Sequence, residues 1–245
     1  GTLRWSMTVA VEDEICTVSG DITVSGAGPS ECSSTYWVPV VSHASGTSGS
    51  VWRSDLGLLG ADPNGADVEL RFHGSDPTST RVVTVAPGAM VQLVDVVDWM
   101  APGVSASGAL EICADGELVI DSRTYNLLAS DHDWFPDGTF GQHLAGEKGS
   151  AGLATGESAR LGQLRESASF RTNIGLVNTG TETADIRIEL FDATGAELAD
   201  FAVELSAGQW HQENRPFEKK AGREDLEAAS AKVTVIDGAG VVAYA

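Results

Sequence analysis

The chain has 245 residues, is 42% hydrophobic and carries a formal charge of −20 at pH 7. That length and apolar content support buried cores for one large or two ordinary domains and exclude a disordered polymer. The acidic field repels nucleic acid and anionic membranes, and no run approaches the roughly 18 consecutive apolar residues of a membrane span. Nucleic-acid partners and membrane insertion are therefore not expected.

Glycine is abundant at 28 residues, which suits many short strands joined by tight turns. Lysine is confined to Lys148, Lys219, Lys220 and Lys232, while acids are spread along the chain. A spread acidic surplus reads as a solvated surface and suits a secreted or salt-exposed protein. The chain begins at Gly1 without Met, which reads as a processed or recombinant mature form.

Residues 1–35 form an N-terminal extension. Trp5, Met7, Val9 and Val11 alternate with small or polar residues, the period-2 pattern of a half-buried strand. Ile22 and Val24 begin a second, shorter strand, and the two read as a hairpin. Cys16 and Cys32 flank a Gly/Ser-rich stretch. A bridge closing that loop would contribute about 3 kcal/mol in the chain-entropy model, with Cys113 left as a buried thiol. Three reduced cysteines in a cytosolic protein are the alternative.

A first domain is expected over 36–128. Residues 36–43 read as a strand whose Pro39 marks an edge or a bulge. In the next strand Trp52, Ser54, Leu56 and Leu58 share an inward face, and Arg53, Asp55 and Gly57 an outward one. The DPNG turn at 62–65 leads to Val68, Leu70 and Phe72 facing in. Residues 81–86 and 90–94 follow, then a single helical turn or loop over 94–100. A last hairpin turns at Asp115–Gly116.

A linker is expected over 129–157. Its Gly/Ala/Ser-rich end, 149–156, reads as a flexible connector. A second domain, 158–245, repeats the order of the first. Trp52, Arg53, Gly57 and Leu58 meet Phe170, Arg171, Gly175 and Leu176 at an offset of 118 (52 to 170). Phe170, Thr172, Ile174 and Leu176 then face in. The outward charges exchange sign, Glu69 for Arg187 and Arg71 for Glu189, as in a cross-strand pair on a solvated face. The Pro87–Gly88 turn matches Ala207–Gly208 at 120. For the last hairpin, matching Leu110 and Ile112 to Val233 and Val235 gives 123. Matching the Asp-Gly turns gives 122, a one-residue slip that would turn core side chains to water.

About seven strands per copy with no long amphipathic helix predict an all-β chain of two antiparallel β-sandwiches. Through W-R-S-D-L-G-L-L, F-R-T-N-I-G-L-V and their following turns, residues 36–245 resemble the immunoglobulin-like modules found in tandem in secreted and cell-surface bacterial proteins. The Cys…Trp…Cys spacing of antibody domains is missing. The resemblance implies a non-enzymatic module with adhesive, spacer or assembly duties at an extracellular or cell-surface location, and no particular ligand.

Candidate chemistry is sparse. Asp131, Asp133 and Asp137 are candidate Ca²⁺ ligands in an acidic loop, but they lack EF-hand spacing, and a solvated loop is the alternative. No other cofactor is implied. No GxSxG or HExxH occurs, so no catalytic residue is assigned. Trp37, Trp99 and Trp134 are candidate exposed platforms for glycans, which would make the chain a carbohydrate-binding accessory module of a secreted hydrolase. Trp52 and Trp210 read as core. The second domain stops level with Ser122, while residues 5–11 are a spare strand. Strand addition between copies would give a filament, with self or other surface proteins as partners.

Overall fold

Alternating apolar residues and glycine- or proline-marked turns build antiparallel sheets throughout. The structure, a computed structural model, describes residues 2–11, 14–23, 29, 31–46, 49–74, 79–129 and 137–245. Among these, no helix is long and apolar enough to cross a membrane.

The N-terminal hairpin consists of β1 (Thr2–Val11) and β2 (Glu14–Thr23), which among the described residues form a two-stranded sheet of their own. The second strand is as long as the first, because it starts at Glu14 and not near Ile22. Trp5, Met7, Val9 and Val11 face Gly20, Val18, Cys16 and Glu14 in register. The strand expected to be spare thus has a partner in its own chain.

The first unit contains β3 (Ser34–Ser45), β4 (Val51–Gly60), β5 (Ala66–Gly74), β6 (Thr80–Val85), β7 (Met90–Leu93), the one-turn helix α1 (Val96–Met100), β8 (Ala106–Ala114) and β9 (Leu118–Leu127). One layer has the order β3-β8-β5-β6 and the other β9-β4-β7. They join at a corner where Ala44 and Ser45 of β3 pair with Trp52 and Val51. Leu56, Leu58, Val68, Leu70, Phe72, Leu110 and Ile112 are buried between the layers, as their alternation predicts. Each such side chain contributes about 1.5–3 kcal/mol by leaving water.

The second unit contains β13 (Ser158–Glu166), β14 (Asn173–Asn178), β15 (Ala184–Asp192), β16 (Glu197–Leu205), β17 (Trp210–Asn214), α2 (Pro216–Ala221), β18 (Leu226–Asp237) and β19 (Ala239–Tyr244). Its layers are β13-β18-β15-β16 and β19-β14-β17, the same orders position by position. Ile174, Leu176, Ile186, Ile188, Leu190, Ala231 and Val233 fill its separate core.

A shared local feature explains the Ser and Thr of the two matched segments. The first strand of each unit loses register, between Val38 and Val41 and between Leu161 and Leu164. Pro39 thus marks a bulge. Bulges strand backbone groups, and a small buried hydroxyl meets the backbone beside each one, from Ser54 of β4 in the first unit and from Thr172, just before β14, in the second. Ser54 Oγ accepts the Ser42 N–H at 2.8 Å and hydrogen-bonds Thr124 Oγ1 at 2.7 Å. Thr172 Oγ1 donates to the Arg165 carbonyl at 2.7 Å and accepts the Arg165 N–H at 3.2 Å.

Several expectations are corrected. Cys32 bonds Cys113, not Cys16, across a separation of 81 residues. Thr35 pairs with Cys113 where β3 runs beside β8, so the start of the strand delivers Cys32 to β8, while Cys16 lies in β2 opposite Val9. Phe170 lies outside β14 and is 49% exposed, with the Arg165 guanidinium 4.9 Å from its ring. Ile112 partners Leu70 and Val233 partners Ile188, an offset of 121 (112 to 233). The assumed 123 keeps the correct faces but misses the register by two.

The connector is drawn into both units. β10 (Thr139–Ala145) pairs along β9, and β11 (Glu147–Lys148) pairs with β3. After a 3₁₀ turn at Gly149–Ala151, β12 (Leu153–Ala154) pairs with β19. The last strand therefore lies between β12 and β14, with β12 pairing at Ala239 and Val241 only.

Candidate functional site

The residues with the most unusual environments gather where the units meet. On the first unit, the outer face of β3, β8 and β5 presents Trp37, Ala109, Glu111, Arg71 and His73, which register places side by side. On the second, Val177 of β14 lies between Trp210 of β17 and Val242 of β19. Trp37, Ala109 and Val177 are buried together, with Trp210 and Val242 packed against them.

Gly175 makes this face flat enough to dock. A Cβ there would lie 1.9 Å from the Tyr244 ring, so only glycine lets the phenol lie across the strand. Tyr244 Oη accepts the Trp210 indole N–H at 3.0 Å and donates to Gln212 Oε1 at 3.2 Å. Burial pushes the phenol pKa upward, so the group is a neutral hydrogen-bonding anchor.

Two clefts flank the apolar contact. The first, about 760 Å³, is lined by Trp37, His73, Glu111, Lys148, Thr179 and Gly208 among others. His73 Nε2 meets Glu111 Oε2 at 2.8 Å, and Arg71 Nη1 meets Glu111 Oε1 at 3.2 Å. The His73 hydrogen bond, with Arg71 beside it, holds the Glu111 carboxyl below its usual range despite burial. The His73 ring centroid is 4.9 Å from that of Trp37. Trp37 Nε1 is buried without a hydrogen-bond partner. A histidine–carboxylate pair of this kind can orient a general base.

The second cleft, about 480 Å³, is lined by the aromatic rings of Trp52, Phe140 and Tyr244 with Gln142, Asn173, Gln212 and Arg171. Phe140 is 55% exposed, and Asn173 Oδ1 is buried without a partner. Rings beside amide groups can stack on and hydrogen-bond a neutral polar ligand.

The expected site residues fall elsewhere. Trp37 is 4% exposed and sealed in the junction, so it is not a platform. Trp99 packs against the first core. Trp134, Asp131 and Asp133 lie outside the described residues, and Asp137 is exposed with φ 56°. Among the described residues, no three His, Cys, Asp or Glu side chains cluster to hold a metal. Arg53 pairs with Asp95, the residue just before α1, at 3.0 Å.

His73, Glu111 and Tyr244 went unassigned in the sequence because β3, β5, β8 and the chain end meet only in three dimensions. The repeated outward glycine, Gly57 and Gly175, was the one usable signal, since it marks where a side chain lies across a sheet face. No protein-family model matches the chain, and no curated protein matches it significantly.

Proposed function

We propose that the chain is a non-enzymatic structural or adhesive module of secreted or cell-surface type, built from two tandem immunoglobulin-like sandwiches related by an internal repeat. The units share strand order and the pairing of second with fifth and third with sixth strands. They depart from the usual immunoglobulin order, since the first strand lies beside the sixth and the last beside the second. The Cys32–Cys113 bridge is in keeping with an oxidising compartment.

The observation that carries this reading is the junction. Trp37 is buried under Val177 and Trp210, and the connector pairs with both units, so the pair acts as one stiff element that presents its remaining faces. Small-angle scattering tests it. The wild type is expected to fit one rigid shape, and Trp37→Ala to fit a broadened ensemble. An enzyme reading requires turnover of chromogenic esters, glycosides or peptides that disappears in His73→Ala. Such turnover would overturn the proposal.

A second reading has its own support. The cleft of Trp52, Phe140 and Tyr244 could take a neutral glycan, with Asn173 Oδ1 accepting a sugar hydroxyl. Calorimetric titration with an oligosaccharide panel is expected to show binding that Trp52→Ala and Phe140→Ala abolish. Binding unchanged in both variants would remove this reading.

A further inference from the structure

We propose that the outer face of β7, β4 and β9 docks on the outer face of β13, β18 and β15 in a second copy of the chain, repeating between chains the contact made once within it. The inference rests on reading the two units as copies of one module.

The internal contact uses one face from each unit. The second unit contributes the rung Trp210–Val177–Val242, and the first receives it on Trp37 and Ala109. Register identifies the matching rung of the first unit. Leu59 of β4 pairs with Met90 of β7 and with Val119 of β9, just as Val177 pairs with Trp210 and Val242. In the first unit no described residue buries that row. Met90 is 60%, Val119 50% and Leu59 38% exposed, whereas Val177 is wholly buried. The outward glycine is shared as well, since a Cβ on Gly57 would lie 2.7 Å from the Met90 methyl group. Three adjacent apolar side chains across three strands form a patch of the kind that marks an interaction surface.

The receiving face is duplicated too. Trp37 pairs with Glu111 in the first unit, and Arg160 pairs with Lys232 in the second. His73 pairs with Ala109, and Phe191 with Ser230. Arg160 and Phe191 therefore stand where Trp37 and His73 stand, with the guanidinium 5.2 Å from the Phe191 ring. A guanidinium lying on an aromatic ring offers a flat, weakly hydrated surface to an apolar rung. On the receiving side Lys232 is paired with Glu189 at 3.1 Å, which leaves the Arg160 guanidinium as the cation there, while Asp121, which His143 meets at 2.8 Å, pairs with Gly57 two residues along the donor face from Leu59.

Each copy then carries one unused donor face and one unused receiving face. They are different surfaces, so the contact is head-to-tail and does not close on itself, giving open chains of copies. β1 takes no part in this contact.

Sedimentation velocity from micromolar to submillimolar protein tests the proposal. Wild type is expected to form a growing series of species. Leu59→Asp and Arg160→Glu should each weaken association at least about tenfold, the effect of losing about 1.4 kcal/mol. Both side chains are solvent-accessible, and circular dichroism checks that each variant folds; Met90→Asp is a second donor-face variant. Mixing Leu59→Asp with Arg160→Glu should restore one contact and stop at a dimer, because each keeps only one competent face. A wild type that stays monomeric, single variants that associate like wild type, or a mixture without dimer would each overturn the proposal. None of those results changes the scattering test of the internal junction, so failure here is distinguishable from failure of the two-module reading.

Discussion

The same row of three side chains has opposite fates in the two units. Trp210–Val177–Val242 is closed against Trp37 and Ala109, whereas Met90–Leu59–Val119 faces solvent. Strand order and register are alike in both, so neither propensity nor alternation sets the difference. The neighbour does. A face that looks outward within one sandwich becomes core once a second sandwich is stacked on it, and among the described residues the row of the first unit has no such cover. The receiving faces differ in chemistry as well as cover. The first unit has Arg71, Glu111 and His73 around Trp37, whereas the matched positions of the second hold Glu189, Lys232 and Phe191 around Arg160.

The sharpest way to break this comparison is to put the same charge in both rows. Val177→Asp leaves a carboxylate in the closed junction and is expected to cost about 3 kcal/mol or more, with the junction opened to proteolysis. Leu59→Asp is expected to change stability by less than about 0.5 kcal/mol, because its position is wet. Urea unfolding of both variants makes the measurement. Equal losses would mean that the exposed row is also covered.

A second difference is covalent. The first unit has the Cys32–Cys113 bridge, and Val235, which pairs with Ile186 as Ala114 pairs with Val68, marks a region of β18 without cysteine. Cys32→Ala/Cys113→Ala is expected to destabilise the first unit by about 2–4 kcal/mol, since the bridge restricts a long loop of the unfolded chain. The second unit should be spared, so one unfolding transition becomes two. The effect should vanish when wild type and variant are compared under reducing conditions.

The smallest expected effect is acid sensitivity confined to one receiving face. The Glu111 carboxyl is held below its usual range by His73 and Arg71. A depressed carboxyl contributes stability that is present above its unfolded value and lost as pH falls through its folded value. Glu111→Gln should therefore be less stable than wild type at pH 7, by about 1 kcal/mol or less, and the gap should close as pH falls through the folded value of the carboxyl, below the ordinary glutamate value of about 4.3. A gap that persists in acid would assign the loss to packing instead.

Much of each unit was legible residue by residue. Val68, Leu70 and Phe72, and Ile186, Ile188 and Leu190, alternate because a strand places every second side chain on one face, and all are buried. Pro39 announced a break in β3, and the Ser and Thr matched at 54 and 172 are the hydroxyls that meet the bulges. The last hairpin was harder. Alternation specifies faces but says nothing about a slip of two residues, which leaves every face unchanged, and the observed offset of 121 differs from 123 by that slip.

The candidate site was barely legible. Trp37 was read as an open platform because hydrophobicity along one strand does not reveal what is stacked above it. Trp52, read as core, lines a cleft, because β10 and the chain end bring Phe140 and Tyr244 beside it. The cysteines were paired by nearness along the chain, while β3 and β8 brought together a pair 81 residues apart.

The amino-acid sequence by itself determined the all-β class, most of the inward faces and the turns, since these follow from local periodicity and backbone preference. Tertiary structure alone decided which outward face is closed, which cysteines bond, and that a glycine-rich connector is strand and not tether. Those outcomes depend on pairing between distant segments, whose free energy is set by burial and hydrogen bonding across the contact and leaves no pattern in either segment alone.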